Sequence, residues 1–223
     1  MLRPLRGTLS PLGRATAVAS SWWLSGGVSA ANCVAAYAPK GAASLAASYT
    51  NLANPGTYDA APGVAPSWSA ATGWTFDGST QYLKTGVTPG NGWAMIVRFS
   101  GAAMSSYTYI AGSYGVTEAT SRFFVGSHPH SFYGYGAFGE GAVTITAGVL
   151  AIANGTGYRD GTSDVAGLGS IGSDGGSIYI GAANRPNSGG VQGKWTGNVL
   201  ALAIYNTSIA SYIAALTTAM NAL

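Results

Sequence analysis

Short apolar runs, each bounded by Gly, Asn, Asp, Ser or Pro, occur along most of the chain. In the clearest run, residues 93–99, the odd positions carry Trp, Met, Val and Phe and the even positions carry Ala, Ile and Arg. This period of two predicts a β-strand. Similar runs predict strands at residues 34–37, 107–111, 122–125, 132–135, 142–146, 149–153, 177–180 and 199–204. Residues 155–161 predict a hairpin with Asp160-Gly161 at its turn. Many short strands at this spacing predict an all-β sandwich or barrel.

Residues 74–83 predict a further hairpin. Its first arm alternates Trp, Thr and Phe, and Tyr82 and Leu83 follow the turn signal Asp77-Gly78-Ser79. Asp bonds the backbone two residues on and Gly adopts positive φ, so this tripeptide is typical of a tight turn. A hairpin is marginal alone, so we expect the rest of the chain to supply a second sheet that covers its apolar face.

Helical spacing is confined to two places. Residues 41–48 are rich in Ala and predict a short helix. From residue 209 to residue 223, apolar side chains recur at helical spacing, and Asn206-Thr-Ser208 offers a cap. We therefore expect a C-terminal helix with one apolar face. The Pro- and Gly-rich residues 53–72 predict a long ordered loop.

Composition narrows the class of protein. The 223 residues suit one all-β domain, with 47% hydrophobic and 8% charged residues. Aromatic residues are plentiful, which argues against disorder. The net charge of +3 equals the three arginines of the first fourteen residues, so the remaining chain is neutral and a nucleic-acid-binding body is not expected. No stretch approaches a membrane-spanning length. Cys33 is the only cysteine, so we expect a buried apolar residue rather than a disulfide or thiolate metal site.

The first thirty residues differ from the rest. Their composition imitates a secretory signal, but Thr and Ser interrupt the apolar run and Trp22-Trp23 is bulky. We expect an ordered N-terminal arm, residues 1–30, docked on a partner chain or on its own domain, followed by one domain at residues 31–223. The residues predicted to anchor the arm in an assembly are Arg3, Arg6, Arg14, Trp22 and Trp23.

Five motifs in this order resemble the laminin-G-like, concanavalin A-like jelly-roll family. They are residues 74–83 (WTFDGSTQYL), 93–99, 157–161 (GYRDG), 178–184 (IYIGAAN) and 195–206 (WTGNVLALAIYN). The resemblance covers residues 31–223 and implies a two-sheet antiparallel jelly-roll sandwich with a short C-terminal helix. It does not imply a single function, because this fold hosts lectins, glycanases and adhesion modules. The low-charge, small-residue style also resembles that of bacteriophage virion proteins and environmental bacterial proteins.

The sequence offers little catalytic chemistry. Glycanases flank the scissile bond with paired carboxylates, and no Glu-x-Asp-x-x-Glu pattern is present, so we expect no enzyme. His128-Pro-His130 lacks the further ligands of a zinc site. Asp164, Asp174 and Asn184 offer oxygen ligands for calcium, but loop capping explains them better. We therefore expect neither a metal nor a cofactor.

Aromatic residues are the better candidates for binding. Several aromatic side chains are predicted in or beside loops, where rings can stack on sugars. They are Tyr107, Tyr109, Tyr114, His128, His130, Tyr133 and Tyr135. The alternative is that these rings pack on the sheet or at a subunit interface. The candidate ligand-binding residues are His128, His130, Tyr133 and Tyr135.

These observations favour two functions. The first is a non-enzymatic virion protein, a capsid decoration, fibre or tail-associated subunit. Its partners would be copies of itself or other virion subunits, together with host-surface glycans to which the jelly roll would adhere. The second is a carbohydrate-binding module of a bacterial surface or secreted protein, located outside the cell. A third, a glycoside hydrolase, requires carboxylates that the sequence does not show.

Overall fold

Two antiparallel β-sheets packed face to face form the body of the protein. The computed structural model describes residues 21–103, 106–117, 120–172 and 175–223. The strands in chain order are β1 (Cys33–Tyr37), β2 (Ala61–Val64), β3 (Ser67–Ser69), β4 (Gly73–Asp77), β5 (Tyr82–Lys84), β6 (Ala94–Ser100), β7 (Thr108–Tyr114), β8 (Arg122–His128), β9 (His130–Tyr135), β10 (Ala137–Thr144), β11 (Gly148–Ala153), β12 (Thr156–Arg159), β13 (Thr162–Val165), β14 (Tyr179–Ile180), β15 (Ala183–Arg185), β16 (Gly190–Gln192) and β17 (Thr196–Tyr205). The α-helices are α1 (Leu45–Ser48) and α2 (Ile213–Asn221), with 3₁₀ turns at Trp22–Leu24, Ala30–Asn32, Pro186–Ser188 and Ala210–Tyr212.

The first sheet has the order β13-β12-β11-β6-β17-β4-β3, and β1 also pairs with β17. The second sheet has the order β10-β9-β8-β7-β14-β5-β2. At its centre, β15 runs parallel to β7 and pairs with β16. The predicted two-sheet antiparallel sandwich with a C-terminal helix is confirmed.

The main core lies between the sheets. Strand β6 shows how the sequence fills it. The period of two puts Met95, Val97 and Phe99 on one face, and that face points inward. Ala94 and Ile96, on the opposite face of β6, are also fully buried. Both faces of this strand are therefore covered, which explains why only one of its residues is charged.

A second apolar layer covers the outer face of the first sheet. Helix α2 lays Ile213, Leu216 and Met220 on that face. Arg98 projects from β6 under the helix, and its Nη1 donates a hydrogen bond of 2.8 Å to the carbonyl of Met220. The predicted terminal helix is confirmed. The predicted cap at residues 206–208 is not, because a 3₁₀ turn comes first and Tyr212 precedes the helix with no side-chain cap.

The predicted hairpin at residues 74–83 is wrong. Strand β4 pairs with β3 and β17 in the first sheet, whereas β5 pairs with β2 and β14 in the second. The carboxylate of Asp77 accepts hydrogen bonds from the backbone N–H groups of Ser79, Thr80 and Gln81. The turn signal is therefore real, but it carries the chain from one sheet to the other.

Of three other local predictions, one is confirmed and two differ from the structure. Asp160 and Gly161, with φ of +49° and +89°, form the predicted turn between β12 and β13. The helix predicted at residues 41–48 is reduced to α1, which begins after Ser44, whose side chain accepts a hydrogen bond from the N–H of Ala47. The predicted loop at residues 53–72 contains the short strands β2 and β3.

Two expectations about sequence chemistry can be compared with the described part of the chain. Cys33 is buried, and burial raises the pKa of its thiol to about 12, so it is an apolar residue as expected. Within the described ranges, no helix is long and apolar enough to cross a membrane.

Candidate functional site

A cleft of about 400 Å³ opens on the outer face of the second sheet, opposite the main core. Strands β7 and β8 and the chain around β10 and β15–β16 form its walls and floor. The residues that line it are Tyr107, Tyr109, Tyr114, Arg122, Phe132, Phe138, Arg185, Gln192 and Gly193. We call this space the aromatic cleft. Five of its nine lining residues are aromatic, which gives it a predominantly apolar surface with a few polar groups.

Buried rings form the floor of the aromatic cleft. Phe124 lies at the centre, with ring centroids 4.8 Å from Phe132, 4.9 Å from Tyr109 and 5.4 Å from Tyr114. The hydroxyl groups of Tyr109 and Tyr114 are 2.8 Å apart and share a hydrogen bond. Burial is the main reason that the pKa of Tyr114 lies well above its usual value. The floor is therefore rigid and neutral.

Glycines on the neighbouring strands make room for this floor. A Cβ at Gly134 would lie 2.3 Å from Cε1 of Phe124, and one at Gly112 would lie 2.2 Å from its Cβ. Both distances are far below a normal contact. The Phe124 ring therefore lies over Gly134, where a side chain would clash with it.

Tyr107 forms the rim at one end of the aromatic cleft and is 46% exposed. Its ring stacks on His128 with centroids 3.6 Å apart, and its hydroxyl donates a hydrogen bond of 2.7 Å to Oε1 of Glu140. This hydrogen bond raises the pKa of Tyr107, because loss of the phenol proton would place two negative charges side by side. Contacts to β8 and β10 thus hold the ring in one position.

Phe138 forms the other exposed rim and is 54% exposed. Its ring packs edge-on against Phe132, with centroids 5.7 Å apart. The guanidinium carbon of Arg122 lies 5.2 Å from the Phe138 centroid, and that of Arg185 lies 4.6 Å from the centroid of Tyr114. The end of the cleft near Tyr114, which we call the arginine end, therefore carries two cations stacked on aromatic rings.

Tyr133 and Tyr135, predicted to bind ligand, do not face the aromatic cleft. They are 0% and 1% exposed and lie in the core between the sheets. The hydroxyl of Tyr133 donates to the carbonyl of Tyr158 and to Oδ2 of Asp164, both at 3.0 Å. Burial excludes ring stacking on a sugar, so this part of the prediction is corrected. Strand β9 instead turns Phe132 to the cleft, since side chains alternate between faces.

His128 and His130, the other predicted binding residues, are cross-strand partners on the cleft side of β8 and β9. Both are half-buried. His128 supports the Tyr107 ring, and its Nδ1 lies 3.4 Å from Oε1 of Glu140. His128 therefore positions the rim without lining the cleft itself. Whether either histidine binds ligand stays a prediction.

The predicted anchor residues fall in two groups. Arg3, Arg6 and Arg14 lie outside the described residues. Trp22 and Trp23 are 3% and 8% exposed and pack in the apolar layer beneath α2. The described part of the arm is therefore docked on its own domain, one of the two placements expected, because this chain already covers both rings.

The residues that sequence reasoning missed are Phe124, Phe132, Phe138, Arg122 and Arg185. Arg122 and Phe124 lie in the strand predicted at residues 122–125, and Phe132 lies in the one predicted at residues 132–135. The alternation of side chains along these strands does not show which face meets the core. Phe138 and Arg185 lie in strands, β10 and β15, whose extents were not predicted.

The described acidic side chains mostly serve backbone or core groups. Oδ1 of Asp59 accepts from the N–H of Asn51, and Oδ1 of Asp160 accepts from the N–H of Val149. Asp164 is bonded by Tyr133 inside the sandwich. Among the described acidic side chains, that of Glu140 accepts a hydrogen bond from Tyr107, which lines the cleft. Within the described residues, no group of three or more His, Cys, Asp or Glu side chains is placed to hold a metal.

Comparison with known proteins finds similar folds but shows no family for this chain. No family model and no curated protein sequence matches the chain. A sialidase from Trypanosoma rangeli, in complex with 2,3-difluorosialic acid, is similar with a TM-score of 0.59 at 15% identity, over 86% of this chain and 33% of that chain. Domain 4 of AbnA, a GH43 extracellular arabinanase from Geobacillus stearothermophilus, in complex with arabinotriose, is similar with a TM-score of 0.51 at 16% identity, over 83% of this chain and 98% of that chain.

The chain thus spans about a third of the length of the sialidase and nearly all of the arabinanase domain. At these identities the likeness shows a shared β-sandwich fold alone.

Proposed function

We propose that this protein is a glycan-binding module and that the aromatic cleft is its binding site. The observation that carries this proposal is the pair of exposed rings, Tyr107 and Phe138, above a rigid aromatic floor. Sugar rings present apolar C–H faces and polar edges, and fixed aromatic rings beside hydrogen-bonding groups suit both features.

The polar groups of the aromatic cleft support the same function. The carboxylate of Glu140, the amide of Gln192 and the two guanidinium groups lie in or beside it. Such groups fix the orientation of a ligand whose bulk stacks on the rings. The cleft is open to solvent along one side of the second sheet, which suits part of a long chain rather than an enclosed small molecule.

The fold is compatible with this proposal. The arabinanase domain, a neighbour of similar size, was solved in complex with arabinotriose. Because identity is 16%, this supports glycan binding as a class and does not identify the sugar.

We further propose that the module binds and does not hydrolyse. Glycosidic hydrolysis generally needs two carboxyl groups flanking the bond. In the described part of the chain, the carboxylate of Glu140 lies beside the cleft, and Tyr107 already donates a hydrogen bond to it. The test is incubation of the protein with each bound glycan, and release of reducing ends would contradict this reading.

A glycan array followed by calorimetry tests binding at the aromatic cleft. The variants Tyr107→Ala and Phe138→Ala each remove an exposed stacking surface. Stacking of a ring on an aromatic side chain contributes of the order of 1 kcal/mol, so we expect the affinity to fall about fivefold or more in each.

Tyr58→Ala is the matched control, because Tyr58 is 44% exposed, lies in the loop before β2 and does not line the aromatic cleft. It should bind as the unaltered protein does. Silence across a broad array, or equal losses in all three variants, would contradict the proposed site.

The virion role predicted from the sequence remains a second proposal, without support from the comparisons. It depends on residues 1–30, of which only the last ten are described. The location of the protein, in a virion or at a cell surface, and its assembly with other subunits also remain predictions. A virion protein that adheres to host glycans would use the same cleft.

A further inference from the structure

Three polar side chains meet at the Tyr107 rim of the aromatic cleft. The hydroxyl of Tyr107 donates a hydrogen bond of 2.7 Å to Oε1 of Glu140, and Nδ1 of His128 lies 3.4 Å from the same oxygen. The Tyr107 and His128 rings are stacked, with an angle of 10° between their planes. One carboxylate oxygen therefore faces both a phenol and an imidazole, and these two rings also contact each other.

The proton on Nδ1 of His128 decides how strong this arrangement is. Among the described residues, this buried nitrogen has no hydrogen-bond partner. A neutral imidazole carries a proton on one nitrogen only, whereas the imidazolium carries a proton on both. With the single proton on Nε2, the Nδ1 lone pair faces the negative oxygen of Glu140. Protonation of Nδ1 turns this contact into an ion pair and adds a cation–π attraction to the Tyr107 ring, so it strengthens both contacts.

The groups around His128 leave the carboxylate of Glu140 as its electrostatic partner. On the cleft side of the elements that pack against it, the titratable groups at this end are Tyr107 and Tyr109 at the start of β7, His130 on β9 and Glu140 on β10. Strand β11, which packs on β8 across the core, has no titratable side chain. The hydrogen bond to Glu140 raises the pKa of Tyr107, so this phenol keeps its proton. Of these described groups, Glu140 alone is negative at neutral pH.

The chain contains only two histidines, His128 and His130. Imidazole is the side chain whose ordinary titration falls between about pH 5 and pH 8. Carboxyl groups ordinarily titrate near about pH 4, and burial raises the pKa of the Cys33 thiol to about 12. A change in binding within this range therefore has two candidate side chains. His130 is the natural control, because it is the cross-strand partner of His128 but does not stack on Tyr107.

We propose that protonation of His128 tightens glycan binding at the aromatic cleft by holding Tyr107 in its stacking position. This inference rests on the proposed glycan-binding function and adds its regulation by pH. His128 is a positioning residue here, since it acts on the sugar through Tyr107. A ring fixed before binding loses less freedom when a sugar stacks on it, which is worth about two- to tenfold in affinity. The gain is present while the imidazole is protonated and is lost as the pH rises through about 6 to 7.

Calorimetry at about pH 5.5 and at about pH 8 measures this effect. The probes are arabinotriose, xylohexaose, cellohexaose and mannohexaose, together with any further neutral glycan that the array identifies, because neutral glycans do not titrate in this range. We expect the probes that bind to do so about threefold or more tightly at the lower pH. Because linkage is reciprocal, binding between these values should take up a fraction of a proton, which titrations in buffers of different ionisation enthalpy detect.

Three variants connect the pH dependence to the Tyr107 rim. His128→Phe keeps a flat ring against Tyr107 but takes up no proton, so its affinity should be the same at both pH values and its proton uptake should vanish. Glu140→Gln keeps an acceptor for the Tyr107 hydroxyl without the negative charge, and it should reduce the pH dependence. His130→Gln should retain the pH dependence of the unaltered protein. Circular dichroism and thermal melting at both pH values verify that each variant is folded.

The outcomes separate this inference from the proposed function. Equal affinity at both pH values in the unaltered protein, or tighter binding at the higher pH, would overturn the inference and leave a glycan-binding module. A pH dependence that persists in His128→Phe, or that His130→Gln removes, would overturn it as well. Absence of binding to these probes and across the array at either pH would remove the proposed function, and this inference with it.

Discussion

Replacing Gly134 by alanine tests whether the floor of the aromatic cleft is as closely packed as the structure shows. The new Cβ would lie 2.3 Å from Cε1 of Phe124 and 2.6 Å from two further ring atoms. Carbon atoms in contact are normally about 3.5–4.0 Å apart, so the ring would have to move by more than about 1 Å. Phe124 is fully buried among Tyr109, Tyr114 and Phe132, which leaves it no open direction.

Two opposing effects set the size of the change. Gly134 does not have a left-handed φ, so alanine there should reduce the entropy of the unfolded chain and stabilise by about 0.4–1 kcal/mol. Overpacking a close-packed site costs about 1–3 kcal/mol. The steric effect should win, and we expect Gly134→Ala to lower the free energy of unfolding by about 1–2 kcal/mol.

Urea denaturation followed by tryptophan fluorescence measures this difference, as a shift of the midpoint at constant slope. Gly175→Ala is the control, because its Cβ would meet nothing closer than the carbonyl oxygen of Pro89 at 3.4 Å, and it should change stability by less than about 0.5 kcal/mol. Phe124→Leu removes the clashing ring atoms, so the double variant with Gly134→Ala should show a favourable coupling of about 1 kcal/mol. A Gly134→Ala protein as stable as the unaltered one, or strictly additive effects in the double variant, would refute the packing described here.

Three further predictions concern the rest of the sandwich. Asn51 is fully buried, and its side chain makes four hydrogen bonds of 2.8–3.0 Å that join β1 to the following loop. Asn51→Ala should therefore cost about 3 kcal/mol in urea denaturation, whereas Asn54→Ala, at an exposed position, should cost less than about 1 kcal/mol, and equal costs would contradict this assignment. Although desolvation raises the pKa of Asp77, hydrogen bonds from Thr80, Ser79 and Gln81 outweigh it and hold that pKa below its usual range. The ionised Asp77 carboxylate therefore contributes stability that is present above its unfolded pKa of about 3.9 and is lost as the pH falls through its pKa in the folded protein. Asp77→Asn should flatten the decline in the free energy of unfolding between about pH 5 and pH 2. An unchanged decline in this variant would be evidence against the hydrogen bonding described for Asp77. Cys33 has a pKa of about 12 and is buried, so the folded protein should not react with iodoacetamide at neutral pH, while the urea-unfolded protein should; rapid labelling of the folded form would show that the thiol is accessible.

The local pattern of the sequence determined most of the strands and the class of fold. Residues 93–99 alternate so regularly that the strand and the division of its side chains between two faces could be predicted. The structure places one of these faces, with Met95, Val97 and Phe99, in the core. The turn at Asp160-Gly161 and the terminal helix were equally local, since neighbouring side chains and backbone angles decide them. The order of the five motifs, through the family that they resemble, predicted that these strands form two sheets.

Pairing between strands was decided by tertiary structure. Asp77 makes the turn that its sequence predicts, but a turn fixes only the direction of the chain over a few residues. Whether β5 then pairs with β4 depends on the available edges of both sheets, and β17, more than a hundred residues later, takes that place beside β4. A sequence read in short windows contains no information about this competition.

The binding face was likewise decided by the fold. Strand β9 carries apolar side chains on both sides, so its period of two shows that Phe132 and Tyr133 point in opposite directions without showing which of them meets the core. The second sheet decides this by turning Tyr133 and Tyr135 toward the first sheet, which leaves Phe124 and Phe132 for the aromatic cleft. The sequence by itself thus determined that rings would line both faces of a strand. Only the packing of one sheet on the other decided which rings became core and which became a site, because burial is a property of the assembled layers and not of the strand.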